Sequence, residues 1–350
     1  MCYAKCNKSR GELMEYLDLD LHGIAELVDI RGRKVMSRYP ASVNQAIGHT
    51  TAYQLTGTEI RLVPLEDCFL TLESMGRRHA TRVLVFYGNM MYPEEIHFEK
   101  ETTIPILMAR FNEINLIEKF PHNHGFSFNV VRVVIFSDNV LVRSIHGKHR
   151  LPLAAEVPPL KMMSYGTSIT QGYSPTAADL TYPNILARWI DADLSNYGLA
   201  GNCMCEPEVT DFLKTSGKYD LIVLELSVNM LANGISTEEF VRRVSYLLTE
   251  LSTHQPDALI LCLGVLPFYG DYGMKSPRDT IVSSAQDYRC ALESIIDAIP
   301  NNKLFYIDPM TALSMENLTT DFIHPGNFGM IEIATRLKQI YDEKRLSPQG

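Results

Sequence analysis

A serine, a histidine and an aspartate in this chain have the types and positions that ester hydrolysis requires. Ser168 lies in "KMMSYGTSITQG", where an apolar run ends at a glycine, and Asp321 and His324 lie in "DFIHP". A serine hydroxyl becomes a nucleophile when a base accepts its proton and a carboxylate orients that base. We therefore predict that Ser168 is a nucleophile, that His324 is its base, and that Asp321 holds the histidine in the required tautomer.

This chemistry also needs donors for the negative oxygen of a tetrahedral intermediate. The candidate donors are the backbone N–H groups of Ser168 and of Gly201, in "NYGLAGN", and the side chain of Asn229, in "LELSVNM". The absence of a Cβ at Gly201 would leave room for a substrate, and Tyr173 is available to stack on a sugar ring. Each motif alone also has a structural explanation, since Asn229 could merely cap the helix that follows it.

Residues 158–350 must supply the elements that position these side chains. Near-continuous apolar strands alternate there with amphipathic helices, in the order "LKMMSY", "YPNILARWID", "DLSNYGL", "EPEVTDFLKT", "DLIVLELSV", "STEEFVRRVSYLLTEL", "ALILCLGVLP", "SSAQDYRCALESIIDAI", "LFYID", "FGMIEIATRLKQIYDEK". This alternation predicts an α/β fold with a three-layer, doubly wound parallel sheet. The candidate residues all follow predicted strands, so we expect them at the carboxyl edge of that sheet, where such folds bind ligands. Ser236 and Glu239 predict a capping box at one helix start.

Residues 1–157 have a different pattern and predict a separate domain. Runs such as "AELVDIRGRKVM", "TEIRLVPL" and "TRVLVFYGN" are rich in β-branched and aromatic residues and are separated by turn signals, which is typical of an antiparallel β-sandwich. Three prolines in "HRLPLAAEVPPLK" favour an extended connector before residues 158–350. His122 and His124 in "FPHNHGF" could touch a ligand or a metal, but they have no acidic or cysteine partner at ligand spacing, so we interpret this stretch as a polar loop.

The composition excludes several classes of partner. The formal charge is −9, without the basic, aromatic-studded stripe that binds nucleic acid. No apolar run approaches the roughly 18 residues that span a bilayer, and the start of the chain lacks the apolar region of a secretory signal. The seven cysteines are odd in number, and Cys203 and Cys205 are too close together for a CxxC metal site. We therefore expect a cytoplasmic protein without a metal or cofactor, and a homo-oligomer is compatible with the sequence.

Taken together, four motifs resemble the conserved blocks of the SGNH hydrolases, also called GDSL esterases, over residues 160–345. "YGTSITQG" is similar to the first block, "NYGLAGN" to the second, "LELSVNM" to the third and "DFIHP" to the fifth. The resemblance implies that Ser168 is the nucleophile, that Gly201 and Asn229 donate to the oxyanion, and that His324 with Asp321 forms the base.

Two residues depart from the family pattern. Thr167 stands where the usual first block has an aspartate, and Met230 stands where an aspartate often follows the asparagine of the third block. Neither position is expected to perform acyl chemistry, but both can change the shape or polarity of the pocket.

The β-sandwich ahead of the hydrolase domain narrows the resemblance further. It is similar to carbohydrate esterases that remove acetyl groups, and also to some acyltransferases. The implied function is a serine esterase that removes a short acyl group, O-acetyl above all, from a small soluble substrate such as an oligosaccharide.

Three alternatives compete with this function and fold. An acyltransferase would use the same acyl-serine, and a non-catalytic carbohydrate-binding protein would keep the fold without the reaction. The presence of Ser168, Asp321 and His324 argues against the second of these. An α/β-hydrolase elbow requires GxSxG, and Thr170 occupies its second glycine position, so we reject that fold.

Overall fold

The structure is a computed structural model that describes residues 17–48, 51–75, 80–110, 125–136, 139–274 and 283–346. The chain divides into two compact units, Met1–Pro159 and Leu160–Gly350. The predicted polar loop with His122 and His124 lies outside the described residues. Among the helices of the described segments, none is both long and apolar enough to span a bilayer.

Short strands dominate the N-terminal unit. They are β1 (Asp20–His22), β2 (Glu26–Ile30), β3 (Arg33–Ser37), β4 (Glu59–Pro64), β5 (Cys68–Ser74), β6 (Thr81–Tyr87), β7 (Met90–Met91), β8 (Ile96–Phe98), β9 (Glu101–Ile106), β10 (Val131–Phe136), β11 (Val140–His146) and β12 (His149–Arg150). The unit also contains helix α1 (Ala41–Ile47) and short 3-10 helices at Thr51–Tyr53 and Ala154–Glu156.

These strands pair antiparallel in sheets that share one core. The larger sheet has the order β1-β4-β10-β6-β7, with β12 beside β4 and β8 beside β6, and the smaller has the order β11-β5-β9, while β2 and β3 form a separate hairpin. Ile60 and Val85 of the larger sheet are buried in one cluster with Leu70 of the smaller sheet. Two antiparallel sheets packed across a common core confirm the predicted β-sandwich.

Strands and helices alternate in the C-terminal unit. The strands are β13 (Leu160–Tyr165), β14 (Ala192–Asn196), β15 (Leu221–Glu225), β16 (Leu259–Leu263) and β17 (Leu304–Ile307). The helices are α2 (Ser168–Gln171), α3 (Tyr182–Trp189), α4 (Pro207–Leu213), α5 (Val228–Ala232), α6 (Thr237–His254), α7 (Ala285–Ala298) and α8 (Asn327–Leu346). Short 3-10 helices lie at Ala178–Leu180, Tyr269–Tyr272, Pro309–Thr311 and Met315–Asn317.

The five strands of this unit form one parallel sheet in the order β14-β13-β15-β16-β17. Val223 packs in a core cluster with Leu186 of α3 and Ala334 of α8, whereas the next residue, Leu224, points to the opposite face and is also fully buried. Helices therefore cover both faces, as predicted for a doubly wound fold. The strand order reverses between β13 and β15, and such reversals create the crevice in which doubly wound sheets bind ligands.

The start of α6 corrects one prediction. Ser236 is the N-cap and its Oγ accepts the N–H of Glu239 at 3.3 Å, but the carboxylate of Glu239 does not complete a capping box. It accepts hydrogen bonds of 2.6 Å from Arg242 and Arg243 instead. The two arginines on the exposed helix surface therefore bind the carboxylate that a capping box would direct to the backbone N–H of Ser236.

Candidate active site

The loops that follow β13 and β15 leave the same edge of the sheet. Tyr165 of β13 lies beside Leu224 of β15 in parallel register. Ser168 comes three residues after Tyr165, and Asn229 comes five residues after Leu224. Because parallel strands run in the same direction, their register brings these two polar residues to neighbouring positions beyond the carboxyl ends of the strands.

Ser168 is the first residue of α2, a helix of a single turn. Thr167 is the N-cap, with its side chain accepting from the N–H of Ile169, and Gly172 ends the helix in the left-handed conformation. The carbonyl of Ser168 accepts the N–H groups of Gly172 and Tyr173 at 2.9 and 2.8 Å. The Ser168 residue is 7% exposed. A tight turn with satisfied backbone groups therefore fixes the serine at the edge of the sheet.

His324 connects Ser168 to Asp321. The Oγ of Ser168 lies 2.7 Å from Nε2 of His324, and Nδ1 of the same ring lies 2.6 Å from Oδ2 of Asp321. Donation from Nδ1–H to the carboxylate leaves Nε2 as the acceptor for the serine hydroxyl. The structure thus brings together the three residues that the sequence analysis had grouped, in the order required for proton transfer.

Hydrogen bonds within its own loop keep the Asp321 carboxylate ionised. Oδ1 accepts the N–H groups of Ile323 and His324 and the hydroxyl of Thr319, each at 2.9 Å. Burial acts to raise the pKa of Asp321, but these bonds and the His324 side chain overcome that effect and lower it from 3.8 to about 2. Phe322 completes the turn at a φ of 58°, and its carbonyl accepts the N–H of Tyr269 at 2.9 Å.

The loop after β14 carries Gly201 to a position between two anchors. The preceding residue, Ala200, donates its N–H to Oε1 of Gln171 at 2.7 Å, and Cys203 donates its N–H to Oδ1 of Asn229 at 3.1 Å. Gly201 has a φ of +74°, and a Cβ there would meet no atom within 4 Å. The glycine is therefore required by the backbone conformation, which favours residues without a side chain, and its side-chain position faces open space.

The structure argues against Asn229 as a helix cap. Ser227 occupies the N-cap position of α5, and its Oγ donates to the carbonyl of Cys203 at 2.5 Å. The Oδ1 of Asn229 is engaged by Cys203, which fixes the orientation of the amide. Within the described residues, no acceptor binds Nδ2 of Asn229 or the N–H groups of Ser168 and Gly201. These three donors are available to a ligand.

Tyr173 lies beside the histidine. Its ring centroid is 4.6 Å from that of His324, with the planes inclined by 51°, and 59% of the residue is exposed. Two hydrogen bonds between Thr176 and Asn327, of 2.8 and 2.9 Å, join the segment after Tyr173 to the first residue of α8. The tyrosine therefore covers one side of His324 while it presents most of its own surface to solvent.

One carboxylate next to the Ser168 turn escaped the sequence analysis. Glu225, the last residue of β15, is fully buried, and its Oε2 accepts from the N–H and the hydroxyl of Thr167 at 2.8 and 2.6 Å. Thr170 donates to the same oxygen at 3.2 Å. Burial raises the pKa of Glu225 to about 7 despite these bonds. The available signal was a charged residue inside the apolar strand "LIVLELSV".

The described residues contain no group of three or more His, Cys, Asp or Glu side chains arranged to hold a metal ion. Cys203 and Cys205 are both buried free thiols. Burial, followed by the contact with Cys205, raises the pKa of Cys203 well above its usual range. Both residues belong to the loop that carries Gly201, and both are buried there.

Fold and site together define a doubly wound α/β protein with a Ser–His–Asp arrangement at the carboxyl ends of its strands. The model of the GDSL-like lipase/acylhydrolase family matches residues 160–342, which is more than half of the chain. The chain therefore belongs to the GDSL-like lipase/acylhydrolase family, and the family predicted from the four motifs is confirmed. This membership supports an esterase-type hydrolase. No curated protein sequence matches the chain significantly.

Several solved structures share the fold along both units. A salicylyl-acyltransferase from a tetracycline biosynthetic pathway is 15% identical, with a TM-score of 0.71 and coverage of 95% of this chain and 96% of the other. A family two carbohydrate esterase from Cellvibrio japonicus is 13% identical, with a TM-score of 0.62 and coverage of 94% and 95%. An acetyl xylan esterase from the rumen bacterium Butyrivibrio proteoclasticus is 13% identical, with a TM-score of 0.57 and coverage of 95% and 96%.

Proposed function

We propose that this protein is a serine esterase that hydrolyses a short acyl ester, O-acetyl above all, on a soluble oligosaccharide. The observation that carries the proposal is the continuous chain of hydrogen bonds from Ser168 through His324 to Asp321, at 2.7 and 2.6 Å. Such a chain can remove the hydroxyl proton in the same step in which the oxygen attacks a carbonyl.

In the first half of the reaction, Ser168 Oγ attacks the ester carbonyl carbon and its proton passes to Nε2 of His324. Asp321 accepts from Nδ1 throughout and stabilises the imidazolium. The tetrahedral intermediate expels the sugar alcohol, which takes the proton from His324, and the acyl group stays on Ser168. Water then attacks the acyl group with the same base, the carboxylic acid leaves, and Ser168 regains its proton.

The oxyanion of each tetrahedral intermediate needs fixed donors. The unengaged N–H groups of Ser168 and Gly201 and the Nδ2 group of Asn229 fit this task, because no residue described here competes for them. Preorganised donors of this kind act mainly on the charge that develops during the reaction.

Two observations support a carbohydrate ester as the substrate. The similar structures include an acetyl xylan esterase and family two carbohydrate esterases. The Tyr173 ring, 59% exposed beside His324, offers a flat apolar face of the sort that sugars stack on.

Acyl transfer is the second candidate function, and the structural similarity to a salicylyl-acyltransferase favours it. Both reactions share the acyl-Ser168 intermediate. They differ only in the final nucleophile, which is water for hydrolysis and an acceptor alcohol for transfer.

The nucleophile is tested with a fluorophosphonate probe. Ser168 should be labelled in the wild-type protein, and Ser168→Ala should abolish labelling and lower kcat by about 10⁴ or more. Ser294→Ala, on the exposed surface of α7, is the matched control and should be labelled like wild type. Labelling at another residue, or activity that survives in Ser168→Ala, would show that the proposed mechanism is wrong.

The substrate is tested with p-nitrophenyl esters from acetyl to decanoyl, in parallel with acetylated xylan and mannan oligosaccharides. We expect the highest rates for acetyl esters and acetate release from a glycan. Addition of free oligosaccharide as an acceptor separates the two functions, because transfer would replace acetate release by a new ester. Rates that rise beyond butyryl, without acetate from any glycan, would exclude the proposed substrate class.

A further inference from the structure

A buried carboxylate of β15 contacts both sides of the Ser168 turn. Oε2 of Glu225 accepts three hydrogen bonds, from the N–H and hydroxyl of Thr167 and from the hydroxyl of Thr170. Thr167 immediately precedes Ser168, and Thr170 lies two residues after it. The two threonines therefore bracket the serine, and both donate to a residue of the neighbouring strand.

The backbone at Gly166 permits this close approach. A Cβ at Gly166 would lie 2.8 Å from Oε2 of Glu225 and 2.2 Å from the hydroxyl oxygen of Thr170. Both distances are too short for any side chain. The glycine of the first motif is thus needed for the carboxylate to reach the turn.

Glu225 has no cationic partner among the described residues. The titratable groups that face it are Tyr182 of α3 and Cys203 of the Gly201 loop. Burial raises the pKa of both groups further above their ordinary values, which already lie above neutrality, so both are uncharged at neutral pH. The hydroxyls of Tyr182 and Thr170 are 2.7 Å apart, which extends the network behind the turn. A buried carboxylate held only by neutral donors is costly to the fold, so a functional reason for it is needed.

We propose that Glu225 is a positioning residue, whose ionised carboxylate holds the Thr167–Thr170 turn so that the Ser168 hydroxyl stays within reach of His324. The inference rests on the proposed serine esterase function. It also accounts for Thr167, which stands where the resembled motif has an aspartate: the carboxylate at this turn comes from the adjacent strand and the threonine connects it to the serine.

The hold of Glu225 on the Ser168 turn should depend on pH, because only the ionised carboxylate provides it. Burial, opposed by the Thr167 and Thr170 hydrogen bonds, raises the pKa of Glu225 from 4.5 to about 7. The carboxyl group is therefore protonated at acidic pH. Its Oε1 is buried and has no hydrogen-bond partner among the described residues, so it can take the proton, and the three bonds to Oε2 then lose the charge that strengthens them. The turn is expected to loosen as the pH falls through neutrality.

The first test compares Glu225→Gln with Asp193→Asn at pH 8. Gln keeps the shape and removes the charge, and Asp193 is a buried carboxylate of β14 that pairs with Lys161 at 2.9 Å and has no part in the site. Glu225→Gln should lower kcat by about ten- to a hundredfold, as small displacements of reacting groups do, with KM little changed. Asp193→Asn should keep the wild-type kcat. Equal kcat values in wild type and Glu225→Gln would overturn the proposal.

The second test is the pH profile of kcat/KM, which a merely structural role would not alter. Wild type loses the charge on Glu225 as the pH falls through about 7, so its kcat/KM should fall more steeply there than that of Glu225→Gln, which has no carboxyl group to protonate at this position. Identical slopes in the two proteins would contradict the inference.

Thr170→Val provides a check if Glu225→Gln does not fold. It removes one of the bonds that lower the pKa of Glu225, so the acid limb of the profile should move to higher pH. An unchanged limb would count against the inference. Labelling of Ser168 in the wild-type protein distinguishes failure of the proposed serine esterase function from failure of the inference about Glu225. If Ser168 is not labelled, the proposed function is wrong. If it is labelled, the variants test only the role of Glu225.

Discussion

Two carboxyl groups flank the Ser168–His324 pair, and the fold treats them in opposite ways. Asp321 belongs to a loop and its side chain is 41% exposed, and local hydrogen bonds lower its pKa to about 2. Glu225 ends a central strand and is fully buried, and its pKa is raised to about 7. The same functional group is thus permanently charged on the base side and titratable on the serine side.

The two carboxylates also differ in how far along the sequence their hydrogen-bond donors lie. Asp321 takes its donors from Thr319, Ile323 and His324, all within three positions. Glu225 takes its donors from Thr167 and Thr170, more than fifty positions away in the sequence. The base is therefore oriented by its own loop, whereas the serine is oriented by the sheet.

The most severe test of this comparison is Asp321→Asn. If the loop orients His324 through this carboxylate alone, kcat should fall by about 10⁴, because the amide favours the wrong tautomer of the histidine. The variant should stay folded at neutral pH, with a melting temperature below that of wild type because the stabilising charge is lost. Asp308→Asn, at an exposed 3-10 helix start, is the control and should retain full activity. An unfolded Asp321→Asn protein would mean that the loop depends on this carboxylate for its structure.

Asn229→Ala tests the donors that lie between the two regions. It should lower kcat by roughly 10² to 10³, as the loss of one oxyanion donor does, with KM little changed. Asn233→Ala is the matched control, because Asn233 follows the same helix and its side chain donates to the backbone carbonyl of Asn229, not to the Asn229 amide. Activity near the wild-type level in Asn229→Ala would remove this residue from the proposed oxyanion site.

The opposite pKa shifts predict opposite effects of pH on stability. A raised pKa gives stability that is present below the ordinary value of 4.5 and is lost as the pH rises through about 7. The free energy of unfolding of Glu225→Gln, relative to wild type, should therefore increase by about 3 kcal/mol across this range, at about 1.4 kcal/mol per pKa unit. Denaturant unfolding at several pH values measures it, and a difference that does not vary with pH would contradict the shift.

For Asp321 the sign is reversed. Its lowered pKa contributes stability above the ordinary value of 3.8, and this contribution is lost as the pH falls toward about 2. Wild type and Asp321→Asn should therefore converge in stability at strongly acidic pH. If the stabilities of the two proteins converged at alkaline pH instead, the pKa of Asp321 would be raised and not lowered.

The smallest expected effect is that of Tyr173. Tyr173→Phe keeps the ring beside His324 and should be close to wild type, whereas Tyr173→Ala should lower kcat/KM by about tenfold or less, in line with the strength of single aromatic contacts. The ratio of activities on an acetylated oligosaccharide and on p-nitrophenyl acetate distinguishes two effects. A loss on the sugar ester alone indicates stacking, and an equal loss on both indicates support of the histidine.

The sequence was sufficient to predict the parts of the molecule that depend on short stretches of chain. Strand and helix periods gave the parallel sheet, and four motifs gave the family. The grouping of Ser168, Asp321 and His324 followed because residues at the carboxyl ends of parallel strands must meet at one edge. The catalytic roles of these residues remain predictions that the variants above address.

The parts that could not be predicted depend on neighbours that are distant in sequence or on very short elements. Helices α2 and α5 have four and five residues, too few for a periodic pattern, and they exist because the surrounding structure compensates for a costly nucleus. Glu225 is similar, since "LELSV" does not reveal which residues donate to the carboxylate. Glu239 shows the reverse case, in which a correct local motif lost its second bond to nearby arginines.

The hydrogen bonds between Thr176 and Asn327 bear on the order in which the protein folds. They close a loop of 151 positions, and Ser168 and His324 are separated by 156. Contacts of such high sequence separation form late, because the entropy of loop closure opposes them until the intervening sheet exists. Ser168 therefore lacks its base until a segment 156 positions later in the sequence has joined it. Labelling of Ser168 during refolding should follow the recovery of helical signal.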